Sequence, residues 1–253
     1  MPLTFVTVPC LKDNYAFLLH NDETDETALI DAPEAGPIKA ELDKRGWHLT
    51  DVLLTHHHWD HVDGLDGLRG DARVIGAKSD ASRLPPLDLE VSEGDEITVC
   101  GEPVEILDVS GHTLGHIAFV MRGAGYAFTA DSLMAMGCGR LFEGTPAQMW
   151  DSLLKLRALP PQTVICSGHE YTTNNMAFAL SLEPDNAKLI SRKSQIDAAR
   201  DKGVPTVPST LAVEMETNPF LRADDPALKQ AIGLPDADPV DVFAEVRKRK
   251  DNF

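Results

Sequence analysis

Apolar and polar positions change rhythm along the chain. In the first part they alternate in short runs of strand length. Leu3–Val8, Tyr15–His20 and Ala28–Asp31 are β-rich, and the acidic stretch Asn21–Glu26 between two of them reads as a solvated hairpin loop. A helical pattern over Ile38–Arg45 stops at Gly46. Asp51–Thr55 is a compact apolar run of the kind buried inside a sheet. Residues 73–77, 96–99, 103–109, 116–121 and 126–130 supply further strands, punctuated by Gly70, Pro85-Pro86, Gly94, Gly111 and Gly123. Residues 147–158 look helical and end at Pro160-Pro161, and Thr163–Cys166 is one more apolar run. Beyond residue 170 helical periodicity takes over, at Met176–Leu182, Ala187–Ala199 and finally Pro239–Lys250, interrupted by the Pro-containing Val204–Ser209. The pattern predicts two domains, 1–170 and 171–253.

Composition narrows the class. The 253 residues are 43% hydrophobic and 25% charged, enough apolar material for a sizeable core without disulfide staples. The net charge of −17 repels nucleic-acid phosphates and anionic lipid, so neither is expected as a partner. Cys10, Cys100, Cys138 and Cys166 are scattered, with no C-x-x-C pair, and read as reduced, buried thiols. No basic, apolar leader and no membrane-length apolar run is visible, so a cytoplasmic location is expected.

The candidate chemistry lies where the run Asp51–Thr55 ends. Of nine histidines, His56, His57, His58 and His61 fall within six positions. A solvated His-rich loop is the plainer alternative. The spacing argues otherwise: in an extended segment positions i and i+2 face one side, so His56 and His58 can converge on one point. Asp60 and His61 follow where the chain turns and can reach a second point. Imidazole and carboxylate suit zinc, iron and manganese. Downstream, His112, Asp131 and His169 each follow a β-run among small residues, where sheet proteins present site residues on loops. A carboxylate such as Asp131 could bridge two cations.

The box Thr55-His56-His57-His58-Trp59-Asp60-His61, with His112, Asp131 and His169 in order, resembles the metallo-β-lactamase superfamily. The resemblance implies an α+β, four-layer αββα fold with a small helical C-terminal domain. It implies two divalent cations, zinc first, with iron or manganese also accepted. Residues matching His56, His58 and His112 would hold one cation, and those matching Asp60, His61 and His169 the other. The one matching Asp131 would bridge them. Asp60 and Asp131 are thereby the candidate catalytic carboxylates. His57 and His116 fall outside that ligand scheme.

Further segments narrow the resemblance: Leu11-Lys12-Asp13-Asn14-Tyr15, Asp131–Thr145, Gly168–Asn175, Asn218-Pro219-Phe220-Leu221-Arg222 and the tail Arg247–Phe253. They are similar to the glyoxalase II family, the hydroxyacylglutathione hydrolases, nearly end to end. That implies a small-molecule partner, a glutathione thioester such as S-D-lactoylglutathione. It implies hydrolysis by water that the two metals activate. Residues matching Arg140, Tyr171, Arg247 and Lys250 would hold the glutathione moiety. Phe142 stands where some relatives have Tyr, and Arg140 where some have Lys. Without the resemblance, the basic run Arg247–Lys250 reads equally well as cations complementing a helix C-terminus. A glutathione persulfide dioxygenase of the same fold is the main rival, and the tail Arg247–Phe253 argues against it. A nuclease of the superfamily is disfavoured by the net charge. A monomer is expected, since no long exposed apolar helix demands a partner.

Overall fold

The computed structural model describes residues 3–253. Its elements are, in chain order, β1 (Thr4–Cys10), β2 (Asn14–Asn21), β3 (Glu26–Ile30), α1 (Ala35–Arg45), β4 (Asp51–Leu53), α2 (Trp59–Val62), β5 (Arg73–Ala77), β6 (Leu89–Val91), β7 (Glu96–Val99), β8 (Glu102–Asp108), β9 (Ile117–Met121), β10 (Tyr126–Ala130), β11 (Leu133–Met134), β12 (Gly137–Cys138), α3 (Pro146–Arg157), β13 (Val164–Ser167), α4 (Thr172–Leu182), α5 (Ala187–Arg200), β14 (Ser209–Thr210), α6 (Leu211–Thr217), α7 (Pro226–Ala231) and α8 (Pro239–Asp251). Two six-stranded sheets run in the orders β1-β2-β3-β4-β5-β6 and β14-β13-β10-β9-β8-β7. Two compact units share the chain. One takes the residues up to Val109 plus Leu114–Ala130, and the other takes Ser110–Thr113 plus Asp131–Phe253.

In the first unit β1, β2 and β3 pair antiparallel, and β3, β4, β5 and β6 pair parallel. Every residue of β2 and β4 is buried, as expected of strands covered on both faces. Helix α1 lays Ile38 and Leu42 in one core cluster with Val8, Leu18, Leu29 and Val52 of this sheet and with Leu54 just after β4. Burying each such side chain contributes roughly 1.5–3 kcal/mol. Gly46 ends the helix in the left-handed conformation (φ 71°), where a Cβ would be strained. On the sheet's other side Phe5 stacks on Tyr126 at 4.8 Å and Phe17 meets Phe128 at 5.8 Å, joining β1 and β2 to β10.

In the second unit a reciprocal capping box between Thr145 and Gln148, with Pro146 in the first turn, starts α3. This helix packs on α8 through Trp150 and Phe243, whose rings lie 6.2 Å apart, and Arg157 grips Asp224 with both terminal nitrogens. Those contacts tie α3 to the C-terminal helices. Helices α4 and α5 meet through Met176, Ala179, Leu189 and Ile196, with Met136 of the β11–β12 turn in the same cluster.

Candidate metal centre

The parallel pairing of β3 and β4 sets Ile30 opposite Leu53, so Asp31 and Thr55 leave the sheet side by side. Asp31 has φ 56°, a left-handed conformation that Asp tolerates better than most residues. Its Oδ1 accepts the Thr55 backbone N–H at 2.8 Å, and its Oδ2 accepts the Thr55 hydroxyl at 2.9 Å and His61 Nδ1–H at 2.8 Å. The Thr55 oxygen, its proton committed to Asp31, accepts from His56 Nδ1 at 3.0 Å. One buried carboxylate thus orients two imidazoles. Helix α2 is a single turn that returns His61 to the interior and leaves Trp59 63% exposed. Gly64 closes it against the chain after β3, where an added Cβ would stand 2.8 Å from Ala32 O. The rings of His56 and His58 lie 4.7 Å apart, those of His56 and His61 4.3 Å apart. Asn14 donates to Asp60 at its carbonyl (2.9 Å) and at Oδ2 (3.1 Å).

His57 and His116 take other roles. His57 Nδ1 pairs with the fully buried Asp80 at 2.8 Å, and Asp80 also accepts from Arg83. His116 stacks on His56 at 4.5 Å and donates from Nδ1 to Ile117 O at 3.1 Å.

In the second unit Asp131 stands between two imidazoles. His112 Nε2 lies 3.5 Å from its Oδ2 and His169 Nε2 3.4 Å from its Oδ1. His112 Nδ1–H donates to Arg140 O at 2.8 Å. Gly139 makes this approach possible, because a Cβ there would meet Asp131 O at 2.3 Å and His112 Nδ1 at 2.7 Å. Tyr171 stacks on His169 at 4.6 Å, and Phe142 meets the His112 ring edge-on at 5.2 Å.

These contacts decide which nitrogen can bind a cation. An acceptor at Nδ1 holds the proton there and leaves the lone pair at Nε2, the usual way proteins fix a ligand imidazole. His61 and His112 donate from Nδ1 to a carboxylate and a carbonyl, and His56 donates from Nδ1 to Thr55. Each unit thus brings its own candidates together: His56, His58 and His61 ring against ring in the first, and His112 and His169 on either side of Asp131 in the second. Such a donor set, neutral imidazole nitrogens with carboxylate oxygens, fits zinc, iron or manganese.

The basic candidates gather on one side of the second unit. Arg247 is buried; it donates to Cys138 O at 2.9 Å and to Asp251 at 3.1 Å, and lies over the Phe220 ring. Lys250 reaches Asn174 and lies over the rings of Phe178 and Phe253. Partial burial, then the charges of Arg247 and Arg140, push its ammonium down to about 8. Arg140 and Tyr171 are exposed.

Known proteins share this arrangement of sequence. Residues 13–169 match the metallo-beta-lactamase superfamily, and residues 170–253 match the hydroxyacylglutathione hydrolase C-terminus. A protein named hydroxyacylglutathione hydrolase from Ruegeria pomeroyi is 64% identical over 255 residues, covering 100% of both chains. The chain belongs to the hydroxyacylglutathione hydrolase family. A Cereibacter sphaeroides protein of the same name is 61% identical over the full length of both chains. Among solved structures, ETHE1 from Myxococcus xanthus superposes with a TM-score of 0.68 at 23% identity, over 98% of this chain and 90% of that one. The B3 metallo-beta-lactamase BLEG-1 gives 0.66 at 21% identity, over 86% and 99%. Both show the metallo-β-lactamase fold alone. TTHA1623, solved in a di-iron-bound form, gives 0.61 at 26% identity, over 86% and 100%.

Sequence reasoning passed over Asp31 and Asp80. Asp31 was visible only as the last residue of a β-rich run. Its signal would have been the prediction that β3 and β4 pair in parallel, which sets a carboxylate beside Thr55.

Proposed function

We propose that the enzyme hydrolyses S-D-lactoylglutathione and related 2-hydroxyacyl thioesters to the hydroxy acid and glutathione, and that His56, His58 and His112 hold one divalent cation. In this reading Asp60, His61 and His169 hold the second cation, and Asp131 reaches both. Two such cations, zinc first, with iron or manganese as substitutes, lower the pKa of a bound water toward neutrality and act as a Lewis acid toward the thioester carbonyl. The observation that carries the reading is the 64% identity over the whole of both chains to a protein named hydroxyacylglutathione hydrolase, with the candidate ligands clustered within each unit, His56, His58 and His61 in one and His112, Asp131 and His169 in the other. The relatives named hydroxyacylglutathione hydrolase support the substrate class, and the di-iron form of TTHA1623 supports a two-metal site.

The chain's own residues divide the work. Asp31 and the Arg140 carbonyl hold imidazole protons at Nδ1, so that Nε2 faces the reacting centre. Asn14 orients the Asp60 carboxylate. Tyr171, Arg140, Arg247 and Lys250 bind the glutathione moiety, which carries two carboxylates, while the helical residues 171–253 serve as the substrate-binding part and 1–170 as the catalytic part. The leaving thiolate is a good leaving group, so its departure needs no dedicated acid. A glutathione persulfide dioxygenase is not favoured, since the full-length relatives are named hydroxyacylglutathione hydrolase and residues 170–253 match that family's C-terminus. Among the described residues no helix is long and apolar enough to cross a membrane. We read the enzyme as a cytoplasmic monomer.

The test is turnover of S-D-lactoylglutathione with and without a chelator, elemental analysis of the purified protein, and its mass in solution. Chelator-sensitive hydrolysis with close to two metals per chain supports the proposal. Bound metal with no thioester turnover sinks the substrate assignment, and a stable dimer sinks the monomer.

A further inference from the structure

The short ribbon β11–β12 is held from outside. Leu133 pairs with Cys138 and Met134 with Gly137, leaving Ala135 and Met136 at the tip. Two residues per strand do not form a stable hairpin unaided. Met136 also sits at φ 61°, in the left-handed region, although it carries a side chain. Something else must fix this turn.

Side chains from the helical residues do so. Asn218 Nδ2 lies 3.1 Å from Met134 O and 3.0 Å from Gly137 O. Asn175 Nδ2 donates to Ala135 O at 3.0 Å. Glu214 Oε2 accepts the Met136 backbone N–H at 2.8 Å. Glu214 and Asn218 are both fully buried. The second carboxylate oxygen of Glu214 takes the Arg192 guanidinium and the Ser209 hydroxyl, the latter at 2.6 Å. The Ala135 carbonyl and Met136 N–H at the tip, and the Met134 and Gly137 carbonyls beside it, are therefore met by side chains anchored on α4, on α6 or just after α6. A buried network satisfied in this way is rigid.

The other end of the ribbon meets the candidate ligands. Asp131 enters it and Arg140 leaves it. Gly139 N–H donates to Asp131 O at 2.8 Å, and Arg140 O receives His112 Nδ1–H. There is no slack on either side. A Cβ at Gly137 would stand 2.5 Å from Asn175, and one at Gly139 2.3 Å from Asp131 O. A shift at the tip passes directly to Asp131 and His112.

We propose that Glu214 and Asn218 are positioning residues of the metal centre, acting through β11–β12 on the Asp131 carboxylate and on the Arg140 carbonyl that orients His112. This rests on the ligand assignment proposed above. It gives Asn218-Pro219-Phe220-Leu221-Arg222 a task beyond helix packing: Asn218 Oδ1 caps the Phe220 N–H while its amide group holds the ribbon. It also makes the helical residues part of the metal site's rigidity and not solely a platform for substrate.

The decisive variant is Glu214→Gln. The amide keeps the shape but turns a donor toward either Met136 N–H and Asn218 or Arg192 and Ser209. Zinc affinity is measured by chelator competition, zinc stoichiometry by elemental analysis, and kcat and KM on the zinc-loaded enzyme, beside the melting temperature of the metal-free protein. The expected result is zinc affinity lowered about tenfold or more, kcat lowered, and KM changed far less. Asn175→Ala, which removes one contact to the same turn and leaves the buried Arg192–Glu214 pair intact, moves zinc affinity the same way by a smaller factor. It decides the question if Glu214→Gln does not fold. A lower melting temperature with parental zinc affinity and kcat in the folded variants means that these residues only glue helices, and overturns the proposal. The zinc-affinity ratio is read without the thioester, so a parent that binds zinc but leaves the thioester intact refutes the substrate reading alone.

Discussion

Asp31→Asn isolates a buried carboxylate that stands behind the candidate ligand His61. Asn tolerates the left-handed conformation at φ 56° as well as Asp does, so the backbone is not the variable. The amide has one acceptor and one donor where three donors converge. With its oxygen in place of Oδ2 it serves the Thr55 hydroxyl and His61, and its NH2 faces the Thr55 N–H at 2.8 Å. Flipped, it serves the Thr55 N–H and points NH2 at His61 Nδ1. That contact becomes favourable only if the His61 proton moves to Nε2, which removes the ligand lone pair. Either way one buried donor loses its acceptor, at about 1–3 kcal/mol. At about 1.4 kcal/mol per decade that is roughly five- to 150-fold, overlapping the 10–100-fold typical when a group orienting a metal ligand is removed. If His61 holds a cation as proposed, the expected result is a 10–100-fold loss of affinity for that cation, with the His58 side retained better. Chelator competition on the variant, followed by stepwise metal readdition, reads both affinities. If the variant holds both metals with parental affinity, Asp31 does not set the His61 tautomer and the reasoning fails.

Further outcomes follow from geometry already described. Gly139→Ala forces its Cβ against Asp131 O and His112, and is expected to cost roughly 1–3 kcal/mol of stability and to lower metal content; calorimetry and elemental analysis check both. Lys250 loses its proton near pH 8, so kcat/KM is expected to fall as pH rises through that value, through KM, while Lys250→Arg carries the plateau to higher pH. Between about 8 and the ordinary lysine value of 10.5 the unfolded chain keeps a proton that the folded one has lost, so this group's contribution to stability rises with pH over that window. A pH profile of kcat/KM that is identical in wild type and Lys250→Arg removes Lys250 from the binding site. All four cysteines are buried, and burial pushes Cys10 and Cys100 up to about 12 and Cys138 up to about 11. A thiol reagent at neutral pH is expected to label none of them before denaturation and four afterwards, and fast labelling of the native protein would contradict that burial.

What could be read in advance divides along physical lines. The box at 56–61 stood out because four imidazoles and a carboxylate in six positions have few structural uses. His112, Asp131 and His169 stood out because each follows a strand among small residues. Longer strands and helices such as β2, α1 and α5 announced themselves by period. The one-turn helix α2 did not, because Trp-Asp-His-Val has no helical preference, and hydrogen bonds to the chain after β3 make it. Strands β6, β11, β12 and β14 are two or three residues long, too short to show alternation. Asp31, Asp80 and Glu214 are single carboxylates whose partners lie 24, 23 and 78 residues away. Only the pairing of strands and the packing of helices bring such groups together, and no local pattern records them. Asn218 belongs to a string that is similar to the family's, yet that string carries no trace of its grip on the ribbon across 81 positions.

The exposure of Trp59 makes the protein its own optical probe. Of three tryptophans, Trp150 is buried, Trp47 stacks on His20 and carries Arg45 over its ring, and Trp59 stands in water between two candidate ligands, His58 and Asp60. Its indole emission is therefore the long-wavelength component of the protein's fluorescence, and a quencher dissolved in the buffer reaches it first. Iron entering beside His58 and Asp60 would darken that component, and zinc would not. The same cuvette could then follow iron arriving beside Trp59, without substrate and without a label.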